Sequence, residues 1–302
     1  MINTVYRLVA PRRFEIAFED INLFGENAIV RPTYLSICNA DMRYYLGTRD
    51  AKVLAEKLPM ALIHEGVGEV FLDPTGTFKT GDKVVMVPNA PVEKDEFIAE
   101  NYLRSSKFCG SSMDGFLQEF VEISPKRLVK LPDDIDMTVA AFTEIVSVSV
   151  HAISRFDKIA HARRNTISVW GDGNLGYITS LFLKYHFPKS KIVVFGTSSD
   201  KLADFTFADE THLVNEVPDG FTTDHAFECV GGNGSPIAIE QIIGLIKPEG
   251  TISILGVSEY PVPINTRMIL EKGLRVFGSS RSGVKDFAKT VDMYKKHPEI
   301  ID

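Results

Sequence analysis

The chain has 302 residues, with 33 Lys and Arg against 40 Asp and Glu and a net charge of −7. That balance provides no basic field for nucleic acid, no apolar run is long enough to cross a bilayer, and the first residues lack a signal-peptide pattern. The expectation is therefore a soluble cytoplasmic protein of about two domains, without nucleic-acid or membrane partners.

Up to roughly residue 130 the apolar runs are short and broken by Gly, Pro and Asp. They are Ala28–Pro32, Gly66–Phe71, Gly81–Pro88 and Gly115–Ile123, the texture of a β-barrel or sandwich. Residues 133–160 look helical. From Asn165 onward strand-like runs alternate with helical ones: 166–170, 191–195, 224–229, 251–255 and 274–278. Such alternation builds a parallel sheet with right-handed crossovers, so the fold class is a β-rich domain followed by an α/β one. The amphipathic run Lys285–Lys296 closes the pattern as a helix. Three widely spaced cysteines, Cys38, Cys109 and Cys229, imply no disulfide framework.

Residues Gly171-Asp-Gly-Asn-Leu-Gly176 lie between the strand-like Asn165–Trp170 and the helical run Tyr177–Phe187, with a second strand about 20 residues on. In that setting Gly171, Gly173, Asn174, Leu175 and Gly176 form a dinucleotide loop, with backbone N–H groups aimed at a pyrophosphate. In the β-rich half, Cys38, His64, Glu65 and Glu144 offer thiolate, imidazole and carboxylate, a mixed set that suits zinc. Taken singly, the cysteine also reads as a small buried hydrophobe, His-Glu as a surface dipeptide and Glu144 as a helix-terminus charge.

Cys38-x-x-Asp41, His64-Glu-Gly-x-Gly, Gly81-Asp-x-Val84 and GxGxxG, in this order, resemble the zinc-dependent medium-chain alcohol and polyol dehydrogenases over nearly the whole chain. The stretch Glu144-x-x-Ser-Val-x-x-His-Ala152 looks like the sorbitol-dehydrogenase branch. The resemblance implies a GroES-like β-barrel catalytic domain over 1–152, a Rossmann NADP-binding domain over 153–280, and the start of a return segment to the catalytic domain over 281–302. Such proteins usually continue past the position of Asp302, so that segment is expected to be truncated. The resemblance also implies that Cys38, His64 and Glu144 hold one catalytic zinc, with Glu65 a fourth, exchangeable ligand and Asp41 accepting the other ring N–H of His64. A second, structural zinc is not expected, because residues 89–113 contain only Cys109.

NAD-dependent members end the second strand on an acid that binds the ribose hydroxyls. Here that position is Gly196, followed by Thr197, Ser198, Ser199 and Lys201, which favours NADP(H); the alternative is that Asp200 serves the ribose. Gly231-Gly232 and Gly256-Val257 look like the turns on the nicotinamide side. The segments Tyr34–Tyr45, Leu62–Glu65, Trp170–Thr179, His225–Gly232 and Gly278–Gly283 resemble the ribulose-5-phosphate reductases, whose product enters wall teichoic acid or capsule polymers. Where several relatives start a proton relay from Ser or Thr, this chain has Ala40, which leaves Tyr44 or a zinc-bound water as proton donor. Arg281 stands where polyol dehydrogenases contact substrate, and with Arg43 and Arg49 it is a candidate for the phosphate. Further expectations are a homodimer or homotetramer and a cytidylyltransferase of the same pathway as partner. The alternatives are a dehydrogenase of an unphosphorylated polyol and a non-catalytic nucleotide-binding relative.

Overall fold

The computed structural model describes residues 1–301; Asp302, the last residue of the expected return segment, lies outside the described residues. The chain divides into two compact units, Met1–Ser147 together with the segment from Arg281 onward, and Val148–Ser280.

The first unit contains β1 (Ile2–Ala10), β2 (Arg13–Asp20), β3 (Ala28–Ser36), α1 (Asn39–Leu46), α2 (Ala51–Lys57), β4 (Met60–Ala61), β5 (Glu65–Leu72) and β6 (Lys83–Met86). It continues through β7 (Asn89–Ala90), β8 (Lys107–Phe108), β9 (Val121–Ile123), β10 (Leu128–Lys130), α3 (Met137–Ala140) and the start of α4 (Thr143–Ile159). Its largest sheet has the order β10-β6-β5-β3-β9, all antiparallel, beside a smaller β2-β1-β4 sheet. Leu8, Val30, Val70, Val84, Met86 and Phe116 fill the core. Each such side chain contributes about 1.5–3 kcal/mol by leaving water.

Three features depart from the expectation. Residues 115–123 form a strand only over Val121–Ile123. Upstream, the N–H groups of Gly115, Phe116 and Leu117 donate instead to the carbonyls of Ala61, Ile63 and Leu62, so the segment braces the chain before β5. The β1–β2 hairpin and the helices α1 and α2 add elements to a region where only short strands are expected. Finally, the boundary between units falls after Ser147 rather than Ala152. It lies inside α4, a continuous helix with no break in composition to mark it.

The second unit is built from β11 (Thr166–Trp170), α5 (Asn174–His186), β12 (Lys191–Gly196), α6 (Ser199–Leu202), β13 (Glu210–Leu213) and β14 (Thr223–Glu228). The elements α7 (Ser235–Leu245), β15 (Ile246–Ile254), α8 (Thr266–Glu271) and β16 (Arg275–Gly278) complete it. All six strands are parallel, in the order β13-β12-β11-β14-β15-β16. That is the doubly wound order, with the direction of winding reversed between β11 and β14 at the loop carrying Gly171. Trp170 stacks on Phe195 at 4.4 Å between ring centroids, and its indole N–H donates to Gln241 Oε1 at 2.7 Å. After β16 the chain returns to the first unit as α9 (Val284–Lys296).

His225, on β14, is buried as the neutral tautomer defined by its partners. The Thr251 N–H donates to Nδ1 at 3.1 Å, and Nε2 donates to the Arg163 carbonyl at 3.0 Å. Burial, and then the ring of His161, push its pKa down to about 4. The unfolded chain takes up this proton near pH 6.5 and the folded chain only near 4, so stability should fall as pH drops through that window. The loss is up to about 3 kcal/mol and levels off below it. Thermal melts of wild type and His225→Gln across pH 4–7 check this: the variant should show the shallower slope, and equal slopes would remove His225 as the cause.

Candidate functional site

Cys38 and His64, two candidate metal ligands, sit on segments that one carboxylate ties together. Cys38 is the N-cap of α1. Asp41 Oδ2 accepts the Cys38 N–H at 3.0 Å, and its Oδ1 accepts the Ile63 N–H at 3.0 Å. Ile63 has φ +73°, a conformation that a β-branched residue adopts only under constraint, costing about 1–3 kcal/mol. Its carbonyl is held by the Phe116 N–H at 2.7 Å. The twist directs His64 and Glu65 at Cys38: the sulfur, a ring nitrogen and a carboxylate oxygen all lie within 4.8 Å of one another.

His64 and Glu65 are buried, as are Asp41 and Glu144. The expected contact of Asp41 with His64 is a looser one: His64 Nδ1 lies 3.6 Å from Oδ1, while the shorter bonds of Asp41 go to backbone. Burial works against a charged His64, yet Asp41, Cys38 and Glu144 hold its pKa well above the usual value. Burial raises Glu65 and pushes Glu144 up to about 7, with His64 opposing both. Glu144, in the first turn of α4, is outside the 4.8 Å group but interacts electrostatically with His64, Glu65 and Asp41.

Three buried carboxylates crowd a thiol and an imidazole, and burial makes their negative charge costly without a cation beside them. A divalent cation would offset that charge, and the sulfur–nitrogen–oxygen donor set fits zinc. The other thiol of this unit, Cys109, is buried, with its pKa pushed up to about 12, and takes no part in the cluster.

Arg281 has φ +58° and holds its guanidinium 4.4 Å from the centre of the Phe108 ring, which lies 5.3 Å from the His64 ring. Burial lowers its pKa, against the attraction of Glu144 and Tyr44. Tyr44 is 2% exposed and belongs to the core, with Arg49 4.8 Å above its ring. Packing therefore accounts for much of Tyr44, whatever its hydroxyl does.

In the second unit, Gly171 has φ +131°, and a Cβ on Gly176 would lie 2.0 Å from the Gly171 carbonyl. The turn and α5 can approach this closely only because both are glycine. A Cβ on Gly173, the N-cap of α5, would meet nothing within 4 Å, which leaves the open approach to backbone that a pyrophosphate needs. Asn174 and Leu175 begin α5.

The turn after β12 is held by a residue of the glycine loop after β11, a partner that the sequence does not reveal. Asp172 Oδ2 accepts from the N–H groups of Thr197 and Ser198, at 2.7 and 2.9 Å, and from the Thr197 hydroxyl at 3.1 Å. Burial opposes its charge, but these donors hold its pKa low. Thr197 and Ser198 are thus shaped by Asp172, while Lys201 remains exposed on α6. Glu228, at the end of β14, organises the turns on the far side. Its carboxylate accepts from the N–H groups of Val230, Gly231 and Gly256 at 2.8–3.1 Å.

Asp172 and Glu228 lie inside motifs legible in the sequence, but their acceptor roles depend on contacts across the fold. Asn89 is missed altogether. It is fully buried, its side-chain amide has no hydrogen-bond partner among the described residues, and it pairs with Phe108 across β7 and β8. Water or a ligand hydroxyl normally satisfies such a group.

Residues 25–133 match the alcohol dehydrogenase GroES-like domain, and 191–296 match the zinc-binding dehydrogenase domain. The chain is 57% identical to ribulose-5-phosphate reductase 1 of Staphylococcus aureus, over all of this chain and 89% of that protein. It is 47% identical to the ribulose-5-phosphate reductase of Streptococcus pneumoniae, over 97% of this chain and 85% of that one. The crystal structure of S. aureus TarJ in complex with NADPH superposes with a TM-score of 0.89 at 52% identity, covering 100% of this chain and 88% of that one. The chain therefore belongs to the zinc-binding dehydrogenases with an alcohol dehydrogenase GroES-like domain.

Proposed function

We propose that the chain reduces ribulose 5-phosphate to ribitol 5-phosphate with NADPH, its product serving teichoic acid or capsule polymer synthesis. The observation that carries this reading is the cluster of half-buried Cys38 with buried His64 and Glu65, the Arg281 guanidinium lying close to the His64–Phe108 pair. Full-length similarity to ribulose-5-phosphate reductases, and to TarJ with NADPH, supports the substrate and cofactor. When bound, zinc supplies Lewis-acid polarisation of the C2 carbonyl, and NADPH supplies the hydride.

Cys38 and His64 would hold the metal, together with Glu65 or Glu144. Asp41 fixes the loops bearing the first two. Arg281 orients the anionic end of the substrate, and guanidinium suits phosphate through paired N–H donors. The glycine loop and the N-terminus of α5 take the pyrophosphate, Gly256 lies on the nicotinamide side, and Lys201 with the Thr197–Ser198 turn faces the ribose 2′-phosphate. With Ala40 offering no hydroxyl, Tyr44 or a water returns the proton to the product oxygen. The same reading places the protein in the cytoplasm as a homodimer or homotetramer, with a cytidylyltransferase consuming the product. No helix among the described residues is long and apolar enough to cross a membrane.

NADPH oxidation by the purified chain tests the reading. The rate with ribulose 5-phosphate should exceed that with ribulose, fall on zinc chelation, and be lower with NADH. Equal rates on both ketoses would assign the chain to unphosphorylated polyols instead; intact NADPH binding with no turnover on any polyol or ketose would favour a nucleotide-binding protein.

A further inference from the structure

A closed ring of contacts in the first unit holds the backbone behind Arg281 and the aromatic ring beneath it. The Val284 N–H, in the first turn of α9, donates to Glu100 Oε1 at 2.8 Å. Glu100 in turn receives Arg127 through two parallel bonds, Nη1 to Oε1 at 2.7 Å and Nη2 to Oε2 at 2.9 Å. Arg127 Nη1 also donates to the Asn89 carbonyl at 3.2 Å. Asn89 pairs with Phe108 across β7 and β8, and Phe108 lies under the Arg281 guanidinium at 4.4 Å.

Between Arg281 and Val284 the chain is secured twice more. Ser282 Oγ lies 2.6 Å from Ser147 Oγ, both buried, and the Gly283 N–H donates to Asp286 Oδ2 at 3.0 Å. Gly283 allows the close approach: a Cβ there would lie 2.7 Å from Glu100 Oε1, an oxygen that Arg127 keeps from moving aside. The left-handed backbone of Arg281 is intrinsically unfavourable for a residue with a Cβ, so its surroundings must impose it.

We propose that Glu100, through Arg127 and Val284, is a positioning residue: it fixes where Arg281 presents its guanidinium and thereby sets the affinity for the phosphorylated end of the substrate. The proposal rests on the reading of Arg281 as the phosphate-facing group. Glu100 does not touch substrate. Its carboxylate joins the lobe between β7 and β8 to the first turn of α9 through the hydrogen bond from the Val284 N–H. Without it, Arg127 loses its fork partner, and Val284 and Asn89 are no longer held in common.

The test is a double-mutant cycle of Glu100→Ala with Arg281→Ala, reading KM and kcat for ribulose 5-phosphate, the rate with ribulose, and KM for NADPH. Glu100→Ala should raise KM for ribulose 5-phosphate about tenfold, equivalent to 1.4 kcal/mol, with the other three readings within about twofold. On the Arg281→Ala background it should add less than about twofold, because the group it positions is gone. Glu100→Gln keeps the volume and one acceptor oxygen, guards against loss of folding, and should shift KM in the same direction by roughly threefold.

A fall in kcat on both ketoses, additivity with Arg281→Ala, or no KM change in either Glu100 variant would overturn the proposal. If Arg281→Ala itself leaves KM for ribulose 5-phosphate unchanged, the underlying reading of Arg281 fails, and this proposal with it.

Discussion

Cys38→Ser should strip the protein of bound zinc and lower the rate of ribulose 5-phosphate reduction by at least about 10³-fold. One well-placed electrostatic donor is worth about 10²–10³ in rate, and a divalent ion polarising the carbonyl supplies more. The sulfur is the one soft donor in the cluster with His64 and Glu65, and a serine hydroxyl does not become a charged ligand near neutral pH. Losing the metal leaves Glu65, Glu144 and Asp41 buried beside His64 with no divalent charge to offset theirs. Cys109→Ala is the control: that thiol is outside the cluster and protonated by burial, so zinc content should stay unchanged. Elemental analysis and NADPH oxidation on the same preparations provide the check. A Cys38→Ser protein that keeps one zinc and a tenth of the rate would exclude Cys38 as a ligand.

The contrast between Cys38 and Glu100 shows what a linear sequence can reveal. The order of motifs carried by Cys38, His64–Glu65 and Gly171–Gly176 is visible because each motif is short and its residues act together. Even so, spacing alone leaves Cys38 readable as a buried hydrophobe, and the resemblance to known dehydrogenases decides between the readings. The parallel sheet is legible for a similar reason: Ile167–Trp170, interrupted only by Ser168, and Ile192–Phe195 are buried, mainly apolar runs separated by a helix-length segment. By contrast, Glu100 meets Val284 across 184 positions, and nothing local marks either residue. Asp172 looks like a variable position within a glycine motif until its bonds to Thr197 and Ser198 appear. The strand expected through Gly115–Phe120 fails because its backbone donors are taken by the strained segment at Ile63, a long-range demand that local apolar pattern cannot express.

Arg281→Ala should raise KM for ribulose 5-phosphate about 100-fold while changing the rate with ribulose by less than about threefold, because a hydrogen bond to a charged group is worth about 1.5–3 kcal/mol and each 1.4 kcal/mol is tenfold. The guanidinium suits this task because its surroundings leave its charge only partly compensated. Burial disfavours it, against the attraction of Glu144 and Tyr44. The guanidinium carbon lies 4.4 Å from the centre of the Phe108 ring, a cation–π contact that helps hold it in place. A phosphate dianion arriving at its N–H edge gains both charge and paired donors. Arg281→Lys separates the two contributions: an ammonium keeps the charge but loses the planar fork, so its KM should fall between wild type and alanine. The ratio of kcat/KM for the two ketoses is the decisive quantity, since it cancels any general loss of active protein. If Arg281→Ala lowered both values equally, Arg281 would be serving Glu144 and the turn before α9, and phosphate recognition would lie with Arg43 or Arg49.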